Sequence, residues 1–206
     1  DTDALSKIVQ FADQNLDIGI VGPRIENPDG SLHHSARRFP TLGAGLFRRT
    51  PLGRLFPKNR FVREYIMADW KHDDIRDVDW VSGAALLIRR KAIEDIGLLD
   101  PGFFMYVEDV DWAFRAKKHG WRVVYYPLIK VVHRIGAASD QAPIRMIYHF
   151  HRSMLRFFLK HYAKGWKIIF IPLVVAALTA RATFFVILTR IPISKEALND
   201  GERLVR

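Results

Sequence analysis

Three carboxylates fall within four residues at Glu108, Asp109 and Asp111. An apolar run rich in aromatics, Phe103-Phe104-Met105-Tyr106-Val107, leads into them, and Asp100-Pro101-Gly102 before it is a turn signal. Ala113 to Gly120 reads as helix, with basic residues in its last turn and Gly at its stop. The acids therefore sit where a loop becomes a helix N-terminus. Carboxylates at such a junction are candidates for catalysis. They also complement the helix dipole, and Asp111 with Arg115 has the spacing of an ordinary i,i+4 surface pair.

Other residues could join them. Gly83 beside Ser82 lets a ligand or another backbone come close, and Trp80 is either a stacking platform for a sugar or base or a core residue. His133 stands at the end of an apolar run, where a neutral imidazole can hold a metal or make a local hydrogen bond. Asp1-Thr2-Asp3 spells D-x-D, a spacing that holds a divalent cation only when a preceding strand aims it. A helix start is the better reading there, with Thr2 or Asp3 as N-cap and Leu5, Ile8, Val9 and Phe11 or Ala12 as the buried stripe.

These residues need a scaffold. Ile18 to Pro23 reads as a short buried strand, Asn27-Pro28-Asp29-Gly30 as a turn, and Leu32 to Phe39 as a return beside it. Arg37-Arg38 end that return. Residues 40–77 read as a loop-rich segment with scattered Gly, Pro and basic residues. Ala84 to Ile88 is a buried strand, Lys91 to Ile96 a short helix stopped by Gly97, Trp121 to Tyr126 a strand ended by Pro127, and Ile129 to Val132 another. Strands alternating with helices indicate an α/β layer architecture, in which ligands sit at the carboxyl ends of the strands.

Composition bounds the function. The chain of 206 residues carries a net charge of +10 and no cysteine, so acidic partners are favoured and disulfides, thiolate metal sites and thiolate nucleophiles are excluded. Its dispersed basic residues match no nucleic-acid reader motif, so nucleic acid is not expected as a partner. From about Ile144 a basic amphipathic helix begins, suited to an anionic membrane surface or to packing on the parent domain. Gly165 breaks it. Trp166 to Thr189 is mostly apolar, interrupted by Lys167, Pro172 and Arg181, with a length near that of a membrane span. It reads as membrane-embedded or as a helix packed in an oligomer. The expected division is 1–140 for the α/β part, 141–190 for the basic and hydrophobic helices, and 191–206 for a polar tail.

Several spaced blocks together resemble a known family. They are Val21-Gly22-Pro23-Arg24 with Asn27 to Ser31, Arg37 to Thr41, Asp79 to Ala84, Gly97 to Asp100, Phe103 to Asp111 with Arg115 and Gly120, and His133 to Gly136. In order and kind they look like family 2 glycosyltransferases of the GT-A fold, most nearly bacterial rhamnosyltransferase-like members. The resemblance covers roughly residues 1–165.

It implies a partial GT-A-type, Rossmann-like mixed sheet with flanking helices, and inverting transfer from a nucleotide diphosphate sugar to a cell-surface glycan or lipid-linked acceptor. Asp109 matches the general base, and Glu108 the residue that orients the acceptor or the base. Asp79, Trp80, Ser82 and Gly83 match the pocket for acceptor and donor sugar. His133 matches a position that holds metal or diphosphate in some relatives, with Mg2+ or Mn2+ neutralising the leaving group. The family's nucleotide-binding half precedes the region matched here, so the chain alone is expected to be inactive and the full protein active. The expected place is the cytoplasmic face of a bacterial inner membrane. Mannose, galactose or galactofuranose are alternative donor sugars, and a non-catalytic membrane-docking scaffold is the alternative of a different class.

Overall fold

A computed structural model describes residues 3–134 and 142–190. These form two compact units: residues 3–98 with 112–134, and residues 99–111 with 142–190. The polar tail expected over 191–206, together with Asp1 and Thr2, lies outside the described residues.

The first unit starts with α1 (Ala4–Gln14), which buries Ile8 and Ala12. Leu5 and Val9 of the expected stripe are exposed instead, because the contact face is narrow. Asp3 occupies the N-cap position but makes no side-chain cap bond. Strand β1 (Ile18–Glu26) follows and does not stop at Pro23. After the turn at Asn27, where Gly30 takes a φ of +78°, β2 (Leu32–His33) pairs antiparallel with β1. The return then leaves that sheet: β3 (Ala36–Arg37) joins a separate two-stranded sheet.

The segment expected to be loop-rich is helical. It holds α2 (Leu42–Phe47), α3 (Pro51–Leu55) and α4 (Arg60–Ile66). Thr41, Thr50 and Asn59 cap them in turn, accepting from the N–H of Ala44, Gly53 and Val62. Three capped starts close together keep each helix short, and so the periodicity stays below notice.

Strands β4 (Arg76–Asp77), β5 (Trp80–Val81) and β6 (Leu87–Ile88) come next. Ala84, expected in a buried strand, is exposed, because Ser82 to Ala85 form a turn closed by Ala85 N–H donating to the Ser82 carbonyl (3.3 Å). Helix α5 (Arg90–Ile96) ends at Gly97, whose φ is +79°. Helix α6 (Glu108–Lys118) begins with the three acids.

The last strand, β7 (Arg122–Val132), corrects the expectation of two strands parted at Pro127. It runs parallel to β1 in two stretches, with Pro23 opposite Tyr126 and then Arg24 opposite Lys130. Pro127 has no N–H for the ladder, so pairing lapses there and resumes at Lys130. The larger sheet has β1 and β7 at its centre, β2 and β6 on β1, and β4 antiparallel on the far side of β7. Strand β1 and the stretch Val123 to Pro127 of β7 are almost continuously buried, as expected for strands covered on two faces, whereas β7 beyond Pro127 exposes Leu128, Lys130 and Val132.

The second unit contains the loop 99–107, the first turn of α6, α7 (Pro143–His161), a 3-10 turn (Gly165–Phe170) and α8 (Ile171–Arg190). Helix α7 buries His151, Ser153 and Phe157. Arg181, the charge inside the apolar α8, meets α7: its Nη1 lies 2.9 Å from His151 Nε2, and its guanidinium sits 4.8 Å from the Phe185 ring. Residues 165–190, 26 in all, are long and apolar enough to cross a membrane by length and composition.

Candidate active site

The loop entering α6 is held tightly. Asp100 Oδ1 accepts from Gly102 N–H (2.8 Å), and the Asp100 carbonyl from Phe103 N–H (3.0 Å). Tyr106 and Val107 then adopt φ of +66° and +70° in succession. This region is costly for any residue with a Cβ and most costly for a β-branched one. Val107 is nonetheless buried, so the surroundings over-determine the bend. The bend sets the direction in which Glu108 and Asp109 leave the loop.

Glu108 and Asp109 are adjacent and both half-buried. Asp109 Oδ1 accepts from Val110 N–H (2.8 Å). Burial pushes the Glu108 carboxyl above its ordinary range, and the neighbouring Asp109 charge pushes it further. Its Oε2 is buried and meets no hydrogen-bond donor among the described residues. A buried acceptor without a donor costs free energy until one arrives. A hydroxyl of a bound ligand is such a donor.

Asp111 overturns one expectation. It does not lie on the helix surface but is fully buried, accepting from His161 Nε2 (2.7 Å) and lying 2.9 Å from Lys160 Nζ. Arg115 binds backbone carbonyls at the end of α5, donating to Leu98 (2.9 Å) and to Ile96. Lys160 also reaches Asp100 (2.8 Å), as does Arg156 (2.8 Å). Partial burial raises the Asp100 carboxyl, but hydrogen bonds from Lys160, Gly102 N–H and Arg156 outweigh it and hold it well below the usual carboxylate range. Ser153 donates to the Met105 carbonyl (3.0 Å). The last two turns of α7 therefore clasp the loop on one side of Glu108-Asp109 and Asp111 on the other. Sequence reasoning missed this set, since residues 49 and 50 positions apart carry no spacing signal.

The remaining candidates lie in the first unit. Asp79 accepts from Phe39 N–H (2.9 Å) and from Lys117 Nζ (2.9 Å). Trp80 is 6% exposed. Its indole N–H donates to the Arg38 carbonyl (2.8 Å), and Arg37 lies 5.3 Å from its ring. Ser82 N–H donates to the Ser35 carbonyl (2.8 Å), and Ser82 Oγ accepts from Ala84 N–H (3.3 Å), which leaves Gly83 exposed at the tip of the turn. Asp79 to Gly83 are thus one contiguous segment of the first unit, while Glu108 and Asp109 belong to the other unit.

His133 is half-buried at the end of β7, its N–H on the Glu26 carbonyl (2.9 Å) and its ring 6.4 Å from that of His33. The Glu26 carboxylate is paired with Arg24 (2.7 Å) and Lys130 (3.3 Å). Among the described residues no group of three or more His, Asp or Glu converges as a metal cage. His133 offers one ligand, so the described residues do not by themselves fit a resident cation.

Residues 1–160 match the family model described as "Glycosyltransferase like family 2". The chain is 35% identical over 149 residues to the N-acetylglucosaminyl-diphospho-decaprenol L-rhamnosyltransferase of Mycobacterium tuberculosis, covering 72% of this chain and 48% of that protein. It is 33% identical over 104 residues to a rhamnosyltransferase of Escherichia coli K12, covering 50% of this chain and 36% of that one. A low-salt glycan biosynthesis hexosyltransferase of Haloferax volcanii is 26% identical over 120 residues, covering 58% and 34%. The chain spans about half the length of the mycobacterial relative.

Proposed function

Because the chain belongs to glycosyltransferase like family 2, we propose that the full protein transfers a sugar, rhamnose, from a nucleotide diphosphate to a lipid-linked or cell-surface glycan acceptor, with inversion at the anomeric carbon. The orphaned, buried Oε2 of Glu108 beside Asp109 is the observation that carries this reading. Asp109 takes the proton of the acceptor hydroxyl as that oxygen attacks the anomeric carbon. The bond to the diphosphate breaks on the opposite face, so one in-line displacement inverts the centre. Glu108 accepts from a second hydroxyl of the acceptor and holds it in register for attack. Asp79, Trp80, Ser82 and Gly83 are assigned to sugar binding on this reading. A divalent cation, Mg2+ or Mn2+, would supply charge neutralisation for the leaving diphosphate. His133 is the one ligand assigned to it, and no step here depends on it.

The sugar is supported by the names of the mycobacterial and Escherichia coli relatives. The acceptor is supported by the diphospho-decaprenol in the mycobacterial name. Such an acceptor is anionic and membrane-bound, which suits the +10 chain and its apolar residues 165–190. On this reading the protein works at the cytoplasmic face of a bacterial inner membrane. A different hexose donor is the second reading, favoured by the hexosyltransferase relative.

Transfer by the full-length protein, assayed with thymidine diphosphate rhamnose against uridine diphosphate hexoses, tests both. Asp109→Asn is expected to lower the rate by about 10²–10⁴-fold with membrane binding intact. Unchanged transfer in that variant would instead support a non-catalytic scaffold or another base.

A further inference from the structure

Helices α2 and α3 bury only Ala44, whereas α4 buries Val62, Tyr65 and Ile66. Their contacts are made by small residues and rings: a Cβ added at Gly53 would lie 1.9 Å from the Phe47 carbonyl oxygen, and one added at Gly43 would lie 2.5 Å from the Phe61 ring. Phe47 stacks on Phe61 at 5.8 Å. Large apolar residues of α3 and the residue after it stay exposed, although Phe56 also meets the Phe47 ring edge-on at 6.2 Å. Leu55 is 70% exposed, Leu52 40% and Phe56 52%, all on α3 or the residue after it. Single exposed leucines need no explanation, but a contiguous group on a short capped element does.

The charge around this group is one-sided. From Gly30 to Arg63 the chain has eight Lys and Arg and no Asp or Glu. Arg54 and Lys58 are exposed among the apolar residues, and Arg60 is exposed just beyond them. Apolar side chains interleaved with cations, and no acids, are what an anionic lipid surface accepts: aliphatic groups enter the headgroup boundary while Lys and Arg meet phosphates. A second protein would more often be met by mixed charges and aromatic anchors.

We propose that α3 and its flanking turns form a second membrane contact, distinct from the apolar residues 165–190, that docks the first unit on an anionic phospholipid surface through Leu52, Leu55 and Phe56 with Arg54, Lys58 and Arg60. The contact is interfacial and does not insert deeply, since α3 has five residues. It needs no assumption about the sugar transferred or about Asp109.

The chain has no cysteine, so Leu55→Cys carries a single bimane label at an exposed position. The labelled full chain is mixed with phosphatidylcholine vesicles, with or without phosphatidylglycerol, that contain a nitroxide-labelled lipid. Carbonate-resistant pelleting of the same samples reports insertion of residues 165–190. Bimane quenching is expected to be at least about twofold stronger in the anionic vesicles, to weaken as salt rises, and to vanish with Arg54→Glu/Lys58→Glu while pelleting is unchanged. Equal quenching in both vesicle types, or none while the chain pellets, overturns the proposal. Concentration-dependent disulfide cross-links through the unlabelled Leu55→Cys thiol, without quenching of the labelled form, also overturn it, assigning the face to a second copy of the chain. Quenching retained without resistant pelleting supports it and removes the C-terminal anchor instead.

Discussion

At the scale of single residues, Glu108 carries a consequence for pH. A carboxyl raised in the folded state binds its proton more tightly there than in the unfolded chain. Its contribution to stability is complete below the unfolded pKa and is lost as pH rises through the folded value. Glu108→Gln removes that slope, so the variant should match or exceed the parent in thermal stability at neutral pH while transferring sugar more slowly. Thermal melts across the pH range, paired with rate measurements, read both. Asp100 behaves oppositely. Its carboxyl is held low, so its contribution is present above the unfolded pKa and is lost as pH falls through the folded one. Asp111 and Lys160 differ in kind, since Asp111 is fully buried. Lys160→Met leaves that carboxylate with a weaker set of partners and is expected to cost about 3 kcal/mol in denaturant unfolding. Asp111 also marks where the sequence misleads. Its i,i+4 relation to Arg115 is real, yet Arg115 also goes to the carbonyls of Ile96, Gly97 and Leu98, because free carbonyls at a helix end compete for a guanidinium.

At the scale of elements, the first halves of strands β1 and β7 were legible because both are apolar runs bounded by turn residues, but each strand runs on through the proline at which it was expected to end. The start of α6 was legible for the same local reasons: a turn, then acids, then a periodic stretch. The run α2 to α4 was not, because each helix is shorter than two turns and draws its stability from caps and from ring packing. Gly53→Ala tests that packing. A methyl there meets a backbone carbonyl, not a flexible side chain, so the helices must part, at an expected cost of about 1–3 kcal/mol by chemical denaturation. Gly102→Ala is the contrasting case. Its methyl would fall 2.0 Å from the Arg156 guanidinium carbon, the far end of a long side chain that can swing away. Stability should change less, and the loss should appear in the grip of Arg156 on Asp100. Pro127 shows the limit of local reading in strands: the residue that signals an end interrupts pairing while the strand continues.

At the scale of the molecule, the family was legible because the motif blocks are short and ordered along the chain. The bonds from α7 to the acidic loop were hidden, since they join distant residues. They bear on how a soluble form of this protein should be made. Removing everything from residue 142 onward deletes the apolar α8, but it also strips Asp111 of Lys160 and His161, and Asp100 of Arg156. An inactive, aggregating product would then say nothing about anchorage. Removing residues 165–190 instead keeps the clasp. That shorter deletion is expected to move the protein to the soluble fraction with its unfolding transition retained, whereas the longer one should lose the transition; fractionation with circular dichroism distinguishes them. Helix α7 is thus less an anchor than a splint, and the useful cut lies after it.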